Sequence, residues 1–421
     1  MNILSKTASA TLAAVASVAL LAACGSGSSA SSPQPSHPSS AAGNSANLLP
    51  TPSAKASGTP LKIFFINQEG ASAAASSPEA YQAATAAVDY VNRNLGGLNG
   101  RPLQLIHCAD LGTPDSSVTC ANKAVDAKPD IIVKGVDTGI DTAVPIITKS
   151  GIPYVTLQAG VSETAAPNTF IPASGFIGAT TGMLSYAKEQ GAKTIGVIYS
   201  NVTALSGAVQ GPLETAARAD GITLVPVPVA LTTQDLTSAY STVLAKKVDA
   251  IFLMASVGHC AAALKARQSL ADSTPLYTAY VCDTSDVLGS VPASATNGLV
   301  IGSLDTSSVS DDPDTQIYDG AMKAYASSSA TGGFAPGSFE AIMDIYRALH
   351  GVPDPASLNA QSIGAALKAA KNVPLFMGGG KTFTCDGSVD PKQPAVCTGW
   401  VFLLKYANGE HTLLKQVNTA P

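Results

Sequence analysis

Charged residues are scarce in this chain. Asp, Glu, Lys and Arg make up 13% of its 421 residues, and the net charge is −5. Ordinary soluble domains carry roughly 25% charged residues. No cluster of Lys and Arg stands out along the sequence. Because a nucleic-acid partner requires such clusters to neutralise its phosphates, the composition argues against one.

Long apolar runs are also missing after the N-terminal segment. The longest candidates, such as Ala250 to Ser256, have the length of a strand, whereas a membrane-spanning helix needs about 20 residues. Common enzyme signatures are absent too, since the sequence contains no G-x-S-x-G elbow, no G-x-G-x-x-G loop and no P-loop. We therefore expect neither a spanning helix in the folded part nor an enzyme.

What the sequence does contain begins with an export signal at residues 1–23. A single cation, Lys6, precedes an apolar stretch that is too short to remain as a membrane span. The sequence Leu21-Ala22-Ala23-Cys24 then resembles the lipobox of bacterial lipoproteins. That resemblance implies an acyl anchor, such as palmitate, at Cys24 and a position on the extracytoplasmic face of the cell membrane. A plain secretion signal with an incidental cysteine is the alternative.

A low-complexity segment follows the signal. Residues 25–58 hold eleven serines and five prolines but a single charge, Lys55, so this segment cannot bury enough apolar surface to fold. We predict a disordered tether over residues 24–59. As a flexible chain it would place the folded part roughly 30 Å from the anchor.

Six cysteines remain besides Cys24. An even number in an exported chain indicates disulfides, although six cysteines allow fifteen pairings. Proximity in the sequence makes three neighbouring pairs the simplest set, with metal binding beside His107 and His259 as the alternative. No CxxC or HExxH spacing supports a metal, and we expect none. The three pairs are Cys108 with Cys120, Cys260 with Cys282, and Cys385 with Cys397.

Strand-like and helix-like segments alternate from Leu61 onward. Four strand–helix units fill about 100 residues, and the pattern restarts near Gly175. Such alternation predicts parallel sheets covered by helices on both faces. A third group of segments begins at Leu299 and is too small to form a domain, and an Asn408-Gly409 turn predicts a final hairpin. Because about 360 residues exceed what one core supports, we expect two domains.

Several segments in this order resemble type I periplasmic solute-binding proteins, specifically the leucine/isoleucine/valine-binding group. The resemblance covers nearly the whole chain from Leu61 to the hairpin. The matching segments are Leu61-Lys62-Ile63, Ala83 to Gly100, Arg101 to Leu105, Cys120 to Val125, Pro145-Ile-Ile with Gly151-Ile-Pro153, and Gly191 to Ile198.

The resemblance implies two doubly wound α/β lobes joined by three crossing segments, with a small ligand in the cleft between them. Mapped on this sequence, lobe 1 comprises residues 60–173 and 299–395. Lobe 2 comprises residues 174–298 and 396–421. This assignment gives the third group of segments a place in lobe 1.

The resemblance also implies which residues face the ligand. Loops after the first four strands would hold it through hydroxyls and backbone N–H groups, and lobe 2 would add an acidic residue for an ammonium group, for which Asp283 is the nearest candidate. Each residue could instead be an ordinary helix cap or loop residue. The predicted ligand-binding residues are Gln68, Glu69, Asp137, Thr138, Gly139, Thr156, Gln158, Ala159, Gly160, Asn201 and Asp283.

The implied function is that of a lipid-anchored receptor that captures a small polar solute, an amino acid or a related compound, by closing two lobes around it. Its partners would be the solute, the permease subunits of an ABC importer and the membrane. We expect a monomer without a cofactor. A ligand sensor that signals to a membrane partner is the main alternative, and an exported enzyme is a weaker one.

Overall fold

Two largely parallel β-sheets, each packed between helices, organise the chain. The computed structural model describes residues 49–52, 54–70, 76–309, 312–326, 331–352 and 357–421. None of the helices in these ranges is both long and apolar enough to cross a membrane. The predicted α/β class with two lobes is confirmed.

The first lobe is built on a five-stranded parallel sheet in the order β2-β1-β3-β4-β5. Its strands are β1 (Leu61–Gln68), β2 (Leu103–Asp110), β3 (Ile131–Lys134), β4 (Tyr154–Thr156) and β5 (Thr169–Phe170), and its first helices are α1 (Pro78–Asn94), α2 (Pro114–Ala127) and α3 (Val144–Lys149).

Strand β1 shows why this sheet is covered on both sides. Ile63 and Phe65 join a core that includes α1, whereas Phe64 and Ile66 join a separate core with α2 and α3. A strand that is buried on both faces becomes a nearly continuous apolar run, as β1 is. Apart from the exposed Lys62, its polar residues are Asn67 and Gln68 at its end, where the cleft begins.

The second lobe has a seven-stranded sheet in the order β14-β13-β10-β9-β8-β6-β7, parallel except for the last hairpin. Its strands are β6 (Thr194–Ser200), β7 (Thr223–Val229), β8 (Ala250–Met254), β9 (Leu276–Ala279), β10 (Leu299–Ser303), β13 (Trp400–Ala407) and β14 (Glu410–Asn418), with β11 and β12 described below. Its helices are α4 (Gly175–Glu189), α5 (Thr203–Ala208), α6 (Glu214–Ala219), α7 (Thr237–Leu244), α8 (Val257–Ser269), α9 (Ser285–Leu288) and α10 (Ala293–Thr296).

The remaining elements return to the first lobe. Helices α11 (Pro313–Tyr325) and α12 (Ala335–Leu349) pack against α1. They are followed by α13 (Ala360–Ala369) and by the short strands β11 (Val373–Pro374) and β12 (Thr382–Phe383). The small side chains on the buried face of α1, among them Ala83 and Ala87, permit this close packing.

Strand β10 corrects the predicted lobe boundary. We assigned residues from 299 onward to lobe 1, but β10 pairs with β9 on one side and with β13 on the other. Val300 and Ile301 are buried in cores on opposite faces of the second sheet. A strand that is apolar on both faces belongs in a sheet interior, so the second lobe continues to Ser303.

Three connections join the lobes: residues 171–174, the segment between Ser303 and Pro313, and residues 384–399. The first and third are bonded to each other, because the Ile171 N–H donates to the Ala395 carbonyl at 2.8 Å and the Cys397 N–H donates to the Ile171 carbonyl at 2.9 Å. The second meets the first lobe where the Thr306 N–H donates to the Met377 carbonyl at 2.9 Å. For their position between the lobes, these three connections are together called the hinge.

All three predicted disulfides are confirmed. Cys108–Cys120 joins β2 to α2, Cys260–Cys282 joins α8 to the turn after β9, and Cys385–Cys397 closes a loop within the third connection. Each closes a short loop, which stabilises the fold by about 3 kcal/mol on the loop-entropy account.

The end of the predicted tether lies on the first lobe. Leu49 packs against its core, and the side chain of Asn94 donates to the Pro50 carbonyl at 2.9 Å. Further along, the Ser57 N–H donates to the Gly100 carbonyl at 2.8 Å. The prediction of a disordered segment is therefore wrong for the described residues between 49 and 59. The predicted signal, Cys24 and residues up to 48 lie outside the described residues.

Candidate ligand-binding cleft

A cavity of about 230 Å³ lies between the two lobes. Its walls are the loops that follow β1 to β4 in the first lobe and β6 to β9 in the second. Open α/β sheets bind ligands at this edge, outside the carboxyl ends of their strands. The turn at residues 161–163 lies against α5 across the cavity, so both lobes enclose it.

The second lobe gives the cavity an apolar wall. Phe176 and Ile177 come from the start of α4, and Leu205 and Ala208 come from α5. The loops after β6, β7, β8 and β9 add Val202, Leu231, Ala255, Val257 and Val281. Polar side chains from this lobe are limited to Ser256 and Tyr280 among the described lining residues. A ligand would therefore gain mainly apolar burial from this side.

In the first lobe, Gln68 covers the loop after β3. The Thr138 N–H donates to Gln68 Oε1 at 3.0 Å, and the Thr138 hydroxyl lies 2.8 Å from the same oxygen. Gly112 makes room for this arrangement, since a Cβ at that position would stand 2.3 Å from the Gln68 side chain. The amide oxygen thus occupies the donors that we expected to hold a ligand carboxylate.

Two carboxyl groups lie beneath this loop. Asp137 Oδ1 accepts hydrogen bonds from the Ser117 hydroxyl at 2.7 Å and from the Gly139 N–H at 2.8 Å. Burial raises the pKa of Asp137. Burial, together with the nearby charge of Asp137, raises the pKa of Asp110 to about 7. Both shifts favour the neutral acid, so this side of the cavity carries less negative charge than its composition indicates.

A buried ion pair supports the loop after β4. Lys134 Nζ and Glu163 Oε2 are 2.6 Å apart, and their side chains are 1% and 0% exposed. The Gly160 N–H also donates to Glu163, at 2.7 Å, and Lys134 donates to the Gln158 carbonyl at 3.2 Å. The Tyr154 hydroxyl donates to the other Glu163 oxygen. The two charges compensate each other and fix the backbone that lines the cavity.

The hinge side of the cavity has a polar corner. Gln158 Nε2 donates to the Phe334 carbonyl at 3.4 Å, while Gln158 Oε1 is buried without a hydrogen-bond partner in the described part of the chain. Tyr280 meets the Phe334 ring at a centroid distance of 5.9 Å, nearly perpendicular to it. An acceptor from the first lobe and an aromatic ring from the second therefore lie at the same end of the cavity.

Comparison with known proteins identifies this architecture. Residues 60–400 match the sequence model of the family described as periplasmic binding protein. The chain belongs to the periplasmic binding protein family. No curated protein sequence matches the chain.

Solved structures of other periplasmic binding proteins share the fold at low sequence identity. A fatty acid ABC transporter substrate-binding protein from Thermomonospora curvata superposes with a TM-score of 0.70 at 15% identity, over 88% of this chain and 96% of that one. The branched-chain amino acid transporter protein LivJ from Streptococcus pneumoniae, in complex with isoleucine, gives 0.69 at 15% identity, over 86% and 100%. An ABC transporter substrate-binding protein from Desulfitobacterium hafniense, in complex with leucine, superposes with a TM-score of 0.63 at 19% identity, over 84% of this chain and 100% of that one.

Six of the eleven residues expected to bind ligand line the cavity of this periplasmic binding protein. They are Gln68, Asp137, Thr138, Gln158, Ala159 and Gly160. The loops after β1, β3 and β4 do converge as the resemblance implied. That these residues touch a ligand remains a prediction.

The other five residues are placed differently. Thr156 is buried, and its hydroxyl accepts from the Gln158 N–H; Gly139 lies against Thr113; and Glu69 pairs with His107 Nε2 at 2.8 Å. Asn201 is exposed and bonded to Ser206. None of these lines the cavity.

Asp283 lies farthest from its expected role. We expected it to hold a ligand ammonium group, but its Oδ1 is 2.7 Å from His411 Nε2 and its Oδ2 accepts from the Ser308 hydroxyl at 3.1 Å. These contacts tie the turn after β9 to strand β14 and to the second connection. Asp283 therefore lies beside the second connection, outside the cavity lining.

Sequence reasoning missed the ion pair and most of the apolar wall. A signal existed for Lys134, which ends the otherwise apolar segment Ile-Ile-Val-Lys, because a buried cation requires a buried partner. No local pattern distinguished Phe176, Leu205 or Phe334 from ordinary core residues. Their role follows only from the way the two lobes face each other.

Proposed function

We propose that this protein is the solute receptor of an ABC importer, held on the extracytoplasmic face of the membrane by a lipid at Cys24. The observation that carries the proposal is the cavity between the lobes, at the carboxyl ends of both sheets, in a chain of the periplasmic binding protein family. Delivery to permease subunits agrees with the transporter names of several structural relatives.

Capture would proceed by closure of the hinge. The ligand would touch Thr138 and Gln158 on one side and Phe176 and Leu205 on the other, because residues of both lobes line one cavity. A ligand that binds the closed state better shifts the equilibrium toward it. The three connections supply the bending segments.

We infer that the cavity binds its ligand without converting it. A serine–histidine pair does lie nearby, with Ser200 Oγ 2.7 Å from His259 Nδ1. However, Ser200 is 1% exposed, and its hydroxyl oxygen accepts from the Ser256 N–H at 2.8 Å. Its hydroxyl is therefore used to hold the turn after β8 and is not presented to the cavity.

The capture function can be tested with the purified protein and a broad solute panel of amino acids, amides and short-chain acids. Binding should raise the free energy of unfolding by RT ln(1 + [L]/Kd), about 2.7 kcal/mol at a hundred times Kd. The same solute should reduce the radius of gyration measured by X-ray scattering. Turnover of a substrate, or a thermal shift without any compaction, would contradict the proposal.

The lipid anchor has a separate test. The native protein extracted from membranes should carry an acylated Cys24 as its first residue, detected by mass spectrometry of the N-terminal peptide. A Cys24→Ser variant should appear in the medium or the soluble fraction with its signal retained or cleaved elsewhere. Recovery of an unmodified Cys24 from membranes would favour the plain secretion signal.

A further inference from the structure

We propose that the cavity takes an uncharged small molecule with an apolar body and a single hydrogen-bonding end, in preference to an amino acid or a carboxylate. This inference rests on the proposed solute-binding function and specifies its ligand class. It follows from which charged and hydrogen-bonding groups of the cavity lining are already paired within the protein.

A ligand carboxylate finds no unused cation. Lys134 is the cation among the described lining residues, and it is compensated by Glu163 at 2.6 Å. The hydroxyl and N–H of Thr138 are bonded to Gln68 Oε1. An anion would have to displace that amide and remain unpaired, which is expensive in a site shielded from water.

A ligand ammonium group also lacks a suitable partner, because the acidic side chains near the cavity are paired, neutral or at its edge. Glu163 is neutralised by Lys134. Asp137 Oδ1 is held by Ser117 and Gly139, and its Oδ2 is buried with no hydrogen-bond partner among the described residues, a setting in which burial favours the neutral acid. Asp141 is half-buried at the edge of the cavity and accepts a hydrogen bond from Ser162. The second-lobe lining holds no acidic side chain among its described residues, because Asp283 is paired with His411 outside the cavity.

The body of the ligand would lie against the second lobe. Phe176, Ile177, Leu205 and Val257 offer it carbon surface with no hydrogen-bonding atoms. Fully burying one large apolar side chain's worth of surface contributes about 1.5 to 3 kcal/mol. An aliphatic or aromatic skeleton would therefore supply most of the affinity.

The polar end of the ligand would lie at the hinge corner. Gln158 Oε1 is a buried acceptor with no partner in the described ranges, and leaving such an atom unsatisfied is costly. A ligand O–H or N–H that donates to it would remove that cost. The Tyr280 ring from the opposite lobe packs against Phe334 at the same corner. A primary amide or an alcohol can donate such a hydrogen bond while it remains uncharged.

Two matched ligand sets test the charge preference by calorimetry on the purified protein. The phenyl set is hydrocinnamamide, hydrocinnamate, phenylpropylamine and phenylalanine. The isobutyl set is isocaproamide, isocaproate, 4-methylpentylamine and leucine. We expect the amide to bind at least tenfold more tightly than each charged member of its set. Tighter binding of an acid, an amine or an amino acid overturns the inference but leaves solute capture intact.

Absence of binding by all eight compounds also overturns the inference. In that case the broad solute panel decides separately whether the proposed function stands, since any other solute that compacts the protein would preserve it. The two failures are therefore distinguishable.

A variant at Gln68 tests whether the preference can be shifted from the amide toward the acid. Gln68→Ala should expose the Thr138 donors and shift the ratio of hydrocinnamate to hydrocinnamamide affinity at least tenfold toward the acid. Gln104→Ala, at an exposed position of the neighbouring strand β2, is the matched control and should leave the ratio unchanged. An unchanged ratio in Gln68→Ala would show that the Gln68 amide does not exclude the acid.

The polar corner is tested by Gln158→Met, which removes the acceptor at nearly constant volume. Hydrocinnamamide should lose about two- to tenfold in affinity, the range of one net hydrogen bond, whereas propylbenzene, which lacks the polar end, should be unaffected. Gln82→Met is the control, because Gln82 Oε1 on α1 is likewise buried and unpartnered but does not line the cavity. Equal losses for both ligands would reduce Gln158 to a packing role.

Discussion

The two lobes contribute opposite kinds of surface to the same cavity. The first lobe presents polar groups that are already bonded to one another, such as Thr138 to Gln68 and Lys134 to Glu163. The second lobe presents side chains such as Phe176 and Leu205, which carry no hydrogen-bond donors or acceptors. The contrast teaches that polar residues in a cleft need not be recognition groups. What matters is which of their donors and acceptors remain unused.

Loss of one member of the Lys134–Glu163 pair should have the largest effect. Lys134→Met leaves Glu163 as an uncompensated buried charge, so we expect the free energy of unfolding to fall by about 3 to 5 kcal/mol in urea denaturation. The double variant Lys134→Met/Glu163→Gln should recover much of the loss.

The matched control for this variant is Lys188→Met. Lys188 also pairs with an acid at 2.6 Å, but its side chain is 49% exposed, and such pairs contribute about 0 to 1 kcal/mol. Equal losses in the two single variants would mean that burial does not distinguish the pairs, and the first-lobe wall would then not depend on its ion pair.

Truncation of a side chain in the second-lobe wall should reduce ligand affinity more than it reduces the free energy of unfolding. Phe176 lines the cavity and is only partly buried, so Phe176→Ala should weaken hydrocinnamamide binding by at least about tenfold, because apolar surface on the ligand loses its partner. Calorimetry measures the change. Leu413→Ala, at a 42% exposed position of β14, is the control and should leave the affinity unchanged. A similar loss of affinity in both variants would show that the apolar wall does not contribute specifically to binding.

Much of the fold could be predicted because its signals are local. Alternation of strands and helices, prolines at helix starts and the Asn408-Gly409 turn each act within a few residues, and the elements observed follow them closely. The placement of β10 could not be read in this way, since an apolar strand fits the interior of either sheet. Its assignment depends on the partners Tyr277 and Leu404, which are distant in sequence.

For the candidate site, the loops were predictable and their chemistry was not. The rule that ligands bind at the carboxyl ends of strands identified Gln68, Thr138 and Gln158. Whether a hydroxyl is free or occupied depends on contacts between loops, as Thr138 and Gln68 illustrate across 70 positions. The contact of Asp283 could not be predicted for the same reason, because its partner His411 lies in the final hairpin.

The buried carboxyl beneath the first-lobe wall should give the most specific effect, a dependence of stability on pH. The pKa of Asp110 is raised from 3.8 to about 7, mainly by burial. Between these values the folded chain retains a proton that the unfolded chain has lost, so stability falls as pH rises through this window. The slope for one such proton is at most about 1.4 kcal/mol per pH unit, and it disappears above about pH 7.

Asp110→Asn tests this directly, because asparagine keeps the neutral shape at every pH. Between pH 4 and pH 7 the free energy of unfolding of the variant should decline less steeply than that of the unaltered protein, by up to the slope of one proton. At pH 8 the variant should be the more stable of the two proteins. Asp115→Asn, at an exposed position in the first turn of α2, should retain the original slope. Parallel curves for all three proteins would mean that Asp110 is already ionised in the folded state, and the wall beneath Thr138 would then carry a negative charge that further disfavours an acidic ligand.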